Sequence, residues 1–252
     1  MTIFQKKIPY DLSKKRPLPA IAPLEPAQWL IVDDAYRAQM AERERLLNGK
    51  RKAVIALDQT ALDAAKELLN EVVLFLKKSP DFTKNEDTFT CPDGRTVFID
   101  RNDPLVTLGR LVQNDFCILQ KKHEEHVLTG AVLCFPASWS LAQKFMRPLT
   151  VIHDPVAPYD ADIAKRVQRL FDGIKVDRPL WRFNALYYTT PELFQPRREN
   201  NRRVIPEKDQ ARYFRSERQT LIRLPQTGAV VFGIHTFVLD ADTSKNIIIQ
   251  MT

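Results

Sequence analysis

The chain reads as an α+β protein built on an antiparallel sheet, and three observations support this. Helix-period segments come first, strand-period segments follow, and one more helix precedes the last strands. No regular strand–helix–strand alternation runs along the chain, which argues against a doubly wound parallel sheet. Two pairs of strand-like runs are joined by short turns, as in antiparallel hairpins.

Residues 1–26, with "KKRPLPAIAPLEPAQW", form an extended arm wrapped on the surface and partly mobile. A helix follows, capped by Asp33 or Asp34 and running to Leu47, with Asn48-Gly49 as its stop. The clearest helix covers 58–78, where Leu62, Ala65, Leu69, Val72, Val73 and Leu76 recur at helical spacing. Pro92-Asp93-Gly94 makes a turn before a short strand. "NDFCILQKKHEEHVLTGAVLCFPASW" reads as two strands joined by a charged turn. Ser138 is the expected cap of a helix in "ASWSLAQKFM". Val151 and Ile152 form a short apolar strand leading into His153, Asp154, Pro155 and Pro158. "DADIAKRVQRLFDGI" is amphipathic, with Ile163, Val167, Leu170 and Phe171 on one face. "PLWRFNALYY" is a strand, and the last two strands form a hairpin around Gln226-Thr227-Gly228.

The 252 residues carry a net charge of +7, too mild a balance to imply nucleic acid as a partner. With only 7 glycines against 17 prolines, a glycine-rich phosphate loop is disfavoured. The three cysteines lack metal-pair spacing and a disulfide pattern, which points to a reducing, cytoplasmic compartment. The N-terminus has no apolar run of signal-peptide length, and no stretch has the apolar length of a membrane span. No nucleophile elbow, P-loop, HExxH or dinucleotide fingerprint occurs.

Four histidines remain as candidates for metal or haem chemistry. His123 and His126 fall in the charged turn "KKHEEH", where a solvated loop is expected. His235 lies in an alternating strand as a half-buried sheet histidine. His153 is the best held, between apolar residues and a proline-fixed loop, but nothing local specifies its chemistry.

"CFPASWSLAQKFMRPLTVIHDPVAPYD", "RPLWRFNALYYTTPELFQP" and "RSERQTLIRLPQTGAVVFGIHTF", with "WLIVDDAYRAQMAERERLL" and "LVQNDFCILQ" upstream in the same order, resemble the haem-dependent oxidative N-demethylase α-subunit-like family. The resemblance implies a single domain over 27–252, helical over about 27–80 and PAS-like over about 85–240, following the arm 1–26. It implies haem b as cofactor and oxidative N-demethylation of a small methylated amine by a monooxygenase-type reaction with dioxygen. Electrons would come from NADPH through flavin and iron–sulfur partner proteins, a reductase or ferredoxin-like donor. The chain itself carries no motif for either group, and the arginine-rich run "PRRENNRRVIPEKDQARYFRSER" suits docking of an acidic carrier.

By the same resemblance His153 is the axial metal ligand, with His235 as the alternative. Arg182 and Asn184 match an Arg-x-Asn element and are assigned catalytic roles with Thr220, while Arg218 and Arg223 join His153 as haem-binding residues. Glu217 and Gln219 belong to the same "SERQTLIRLP" segment, and Gln219 is within reach of the pocket. Ala185 stands where an aromatic often follows the asparagine, which would enlarge the pocket. The alternative to an oxygenase is a haem-based PAS-like sensor or binding module without turnover.

Overall fold

The computed structural model describes residues 2–12, 19–153, 161–198, 201, 206 and 211–240, except the side chains of 153 and 161–165. Part of the arginine-rich run (199–200, 202–205 and 207–210) and the loop with Asp154, Pro155 and Pro158 fall outside the described residues, as does the Ile163 side chain.

In chain order the elements are β1 (Ala22–Pro23), α1 (Tyr36–Gly49), α2 (Arg51–Val54), β2 (Ile55–Leu57), α3 (Leu62–Leu76), β3 (Thr83–Asn85), β4 (Thr88–Thr90), β5 (Thr96–Phe98) and α4 (Pro104–Leu111). Then come β6 (Asp115–Lys122), β7 (Glu125–Val132), α5 (Leu141–Lys144), α6 (Leu149–His153), α7 (Ala161–Gly173), β8 (Leu180–Tyr188), β9 (Tyr213–Arg223) and β10 (Val230–Asp240). This is the α+β class, and every pair of these strands is antiparallel. Seven strands form one sheet in the order β1-β8-β9-β10-β6-β7-β2, and β3-β4-β5 form a small second one. Numbered among themselves, the five long strands run second, first, fifth, fourth, third across the sheet. None of the helices among the described residues is long and apolar enough to cross a membrane.

The sheet separates two cores. One face carries Phe116, Ile118 and Val231 against Leu46 of α1, Leu68 and Leu69 of α3 and Leu105 of α4. The other carries Cys117, Leu221, Val230 and Ile234 against Leu141 of α5, Leu149 of α6 and Phe171 of α7. Ala65, Leu69, Val72, Val73 and Leu76 of α3 are all buried, as their spacing predicts, each contributing apolar area removed from water. The arm is held more firmly than expected. Gln5 N–H donates to Val238 O at 3.0 Å and Val238 N–H to Gln5 Oε1 at 2.9 Å, while Leu12 packs with Phe214 and Leu239.

Several local expectations are corrected. Leu149–His153 is a helical turn, not a strand. Ile152 N–H donates to Pro148 O at 3.0 Å, and the turn sends both Leu149 and Ile152 into the apolar cluster while Val151 stays exposed. A strand would have placed Leu149 and Ile152 on opposite faces. Ser138 is not a cap: it sits at φ 66°, and α5 starts three residues later at Leu141, behind Ser140. Helix α1 starts behind Ala35, whose N–H is taken by Asp33 Oδ1 at 2.9 Å, while Asp34 accepts from Lys6 N–H. His126 lies in β7 rather than the turn and is buried.

Candidate functional site

Strands β8 and β9 pair with Arg182 opposite Gln219, Asn184 opposite Glu217 and Leu186 opposite Arg215. Residues opposite one another in an antiparallel pair point to the same side, so these six share one face. It is the face that α5, α6 and α7 cover farther along the sheet. Sequence alternation had placed Arg182 and Asn184 together, and their hydrogen bonds show what they join.

Glu217 is the hub. Its carboxylate accepts from Asn184 Nδ2 at 3.0 Å, from Gln219 Nε2 at 3.2 Å and from Arg215 Nη2 at 3.4 Å. Its own N–H donates to Asn184 Oδ1 at 3.2 Å, so the Asn184 amide is used at both ends. Arg215 also donates to Phe135 O at 2.6 Å and Leu193 O at 3.0 Å, tying the strip to the connections after β7 and β8. Arg215 Nε is buried without a partner among the described residues, although both Nη groups of Arg215 are bonded. Arg182 donates no hydrogen bond among them, and its Nε is likewise out of solvent without a partner. Burial lowers its pKa from the ordinary arginine value, and the Glu217 charge offsets part of that. Two guanidinium groups against one carboxylate leave this strip one positive charge in excess. A buried donor without a partner costs free energy unless a ligand supplies the acceptor.

Beside the strip lies an apolar wall. Trp139, Phe145, Ile152, Val167, Leu170, Leu180 and Phe232 are partly buried against the second core. Helix α6 ends at His153 over the same core and is fastened twice: buried Lys144 Nζ donates to Ile152 O at 2.8 Å, and Thr150 Oγ1 donates to Glu125 Oε1 at 2.5 Å. The imidazole of His153 itself is outside the described part. An apolar wall beside a cationic strip suits a flat, largely apolar ligand with anionic groups at its edge, and histidine is the commonest protein ligand for a metal held by such a ligand.

The remaining sequence candidates do not gather here. Thr220 and Arg218 are on the opposite face of β9. A Cβ on Gly233 would lie 2.6 Å from Thr220 Oγ1, so Thr220 is pressed against β10. Arg218 donates to Trp29 O at 3.2 Å and Gln28 O at 2.5 Å, with its guanidinium 5.5 Å from the Trp181 ring. Arg223 donates to Phe171 O, Ile174 O and Gly228 O at 2.6, 2.5 and 2.7 Å, closing the C-terminal end of α7. Ala185 also faces away, among Leu12, Phe214 and Leu239, so it adds no space beside Arg182 and Asn184.

His235, expected half-buried, is fully buried with both ring nitrogens engaged. Nε2 is 2.9 Å from Asp33 Oδ2 and Nδ1 is 3.3 Å from Asn114 Oδ1, on the face opposite Arg182. Burial pushes the Asp33 carboxyl up, but hydrogen bonds from His235, Gln113 and Gln5 outweigh it and hold the group below its ordinary value. Sequence reasoning missed Glu217 as hub and Arg215 as its cation. Their parity with Arg182 and Asn184 is readable only once the β8–β9 register is known.

The sequence model of the family described as "Haem-dependent oxidative N-demethylase, alpha subunit-like" matches residues 20–246, a span that includes α6, both strands of the polar strip and the apolar wall. The chain therefore belongs to the haem-dependent oxidative N-demethylase α-subunit-like family.

Proposed function

We propose that this chain binds haem b against the helix-covered face of the large sheet and is the haem-bearing component of a monooxygenase-type oxidative N-demethylase. The observation that carries this is that the apolar wall, the net positive strip of β8 and β9, and the end of α6 at His153 lie on one face of the sheet. When bound, the haem supplies the redox chemistry: activation of dioxygen and oxidation of the carbon beside an amine nitrogen.

The protein's own part is to bind and to aim. His153 is assigned as the iron ligand, and Lys144 and Glu125 fix the helix that presents it. The apolar wall excludes water from the macrocycle. Glu217 locks the amides of Asn184 and Gln219, so the strip meets its ligand preorganised. Arg218 and Arg223 support it at a distance, by fixing the Gln28–Trp29 segment and the end of α7. The proposed electron source is a partner chain carrying flavin and iron–sulfur groups, reduced by NADPH.

The direct test is formaldehyde release from a methylated amine by haem-loaded protein, with dioxygen and an artificial reductant. Formaldehyde that depends on all three components is the expected result. Haem-loaded protein that binds amines yet releases none would instead favour a sensor.

A further inference from the structure

We propose that Arg182 and Gln219 form a subsite for an N-methylated α-amino acid, so that the substrate is a zwitterion rather than a simple alkylamine. The inference rests on the functional assignment above. Arg182 and Gln219 sit directly opposite one another on β8 and β9. Opposed side chains start about 5 Å apart, so two long ones can converge on one small ligand.

The orientation of the Gln219 amide is fixed by chemistry. Its neighbour at 3.2 Å is the Glu217 carboxylate, which only accepts, so Nε2 must face it and Oε1 must face away. Among the described residues no donor meets that Oε1, which is not sealed from solvent, and the buried Arg182 Nε has no acceptor. Asn184 cannot stand in, because both ends of its amide are held by Glu217.

The strip therefore presents a planar cation with free donors next to a neutral acceptor backed by a buried carboxylate. Its complement is an anion with an N–H cation beside it. An α-amino acid has this pattern, with its carboxylate and its ammonium on one carbon. The carboxylate meets Arg182 in the guanidinium geometry that suits it, and the ammonium N–H meets Gln219 Oε1. Lesser ligands leave something unmatched. A propionate alone would satisfy Arg182 and leave Gln219 Oε1 without a donor. A dialkylammonium alone would reach Gln219 and leave Arg182 desolvated and unpaired.

The test is calorimetric binding of N-methylglycine, acetate and dimethylamine to the full chain, both haem-free and haem-loaded. N-methylglycine is expected to bind at least about tenfold more tightly than either fragment, a difference of about 1.4 kcal/mol. Arg182→Gln should abolish that advantage and leave dimethylamine binding unchanged. Arg182→Lys should keep part of it, and thermal unfolding should show both variants folded. Gln219→Leu should weaken N-methylglycine and dimethylamine but not acetate.

Equal affinity for N-methylglycine and dimethylamine in wild type would overturn the subsite, even if haem is bound and the functional assignment stands. So would Arg182→Gln weakening uptake of haem, but not of haem dimethyl ester, with the amino-acid preference intact. That pattern would mark a propionate anchor. A wild type that takes no haem but prefers N-methylglycine would support the subsite and remove the oxidative function.

Discussion

Arg43 lies wholly out of solvent in α1, donating to Asp115 Oδ1 at 2.7 Å and to the carbonyls of Gly109, Asn114 and Gln113 at 2.9, 2.9 and 3.2 Å. Asp115 also accepts the N–H groups of Cys134 and Phe135, each at 2.7 Å. One buried pair thus joins α1, the end of α4, β6 and the segment after β7. Removing one partner leaves an uncompensated buried charge, so Asp115→Ala should cost about 3–5 kcal/mol in urea unfolding. A loss below about 1 kcal/mol would show the pair to be dispensable. His126 gives a pH prediction. It is buried against Phe171 and bonded to Gln168 at 3.1 Å, with Asp172, Arg223 and Lys121 as the charges around it. Burial lowers its pKa, against a smaller opposing pull from Asp172. The unfolded chain then takes up this proton more readily than the folded one. Its contribution is fully present above the ordinary histidine value of about 6.5 and falls as pH drops below it, toward the folded value. Thermal unfolding between about pH 7.5 and 5 should therefore fall more steeply for wild type than for His126→Gln; parallel curves would contradict this. Little of this residue-level detail was legible in the sequence. The partners of Arg43, Arg218 and Arg223 are mostly main-chain carbonyls distant in sequence, and a carbonyl carries no side-chain signature.

Two contacts between elements fix the β9–β10 hairpin that carries the polar strip. Glu67, buried in α3, accepts from Gln226 N–H at 2.6 Å, Thr227 N–H at 2.8 Å and Thr227 Oγ1 at 2.6 Å, clamping the turn. Glu67→Ala strands two main-chain donors and should cost about 1–3 kcal/mol, with faster amide exchange at Gln226 and Thr227 as the local mark. Gly233 is required by close approach rather than by φ. A Cβ there meets Thr220 Oγ1 at 2.6 Å, so Gly233→Ala should destabilise the sheet. That hydroxyl lacks a partner among the described residues, so Gly233→Ala with Thr220→Ala should recover much of the loss. Additive losses in the double variant would contradict the clash. Elements with long periodic patterns, α3 and the β6–β7 and β9–β10 hairpins, were legible because burial of one face dictates their spacing. Helix α6 was not. Five residues hold too little period, and Val151 and Ile152 favour strand locally, while Pro148, Lys144 and the apolar core settle the turn from outside it.

At the scale of the molecule, the sheet separates support from site. One face carries the helices α1, α3 and α4, the arm and the His235–Asp33 pair; the other carries the apolar wall, the cationic strip and the end of α6. The α+β class followed from element order alone. The face on which each candidate lies depended on register, which pairs strands far apart in the chain. That division leaves His235 engaged on the supporting side, and His153 as the histidine belonging to the helix over the site. The most direct test is the absorption spectrum of the protein expressed with ample haem, wild type beside His153→Ala and His235→Ala. A Soret band lost or shifted in His153→Ala, and kept in any His235→Ala protein that still folds, is the predicted result. A wild type that stays colourless and cannot be reconstituted, or a band indifferent to His153→Ala, would contradict the account.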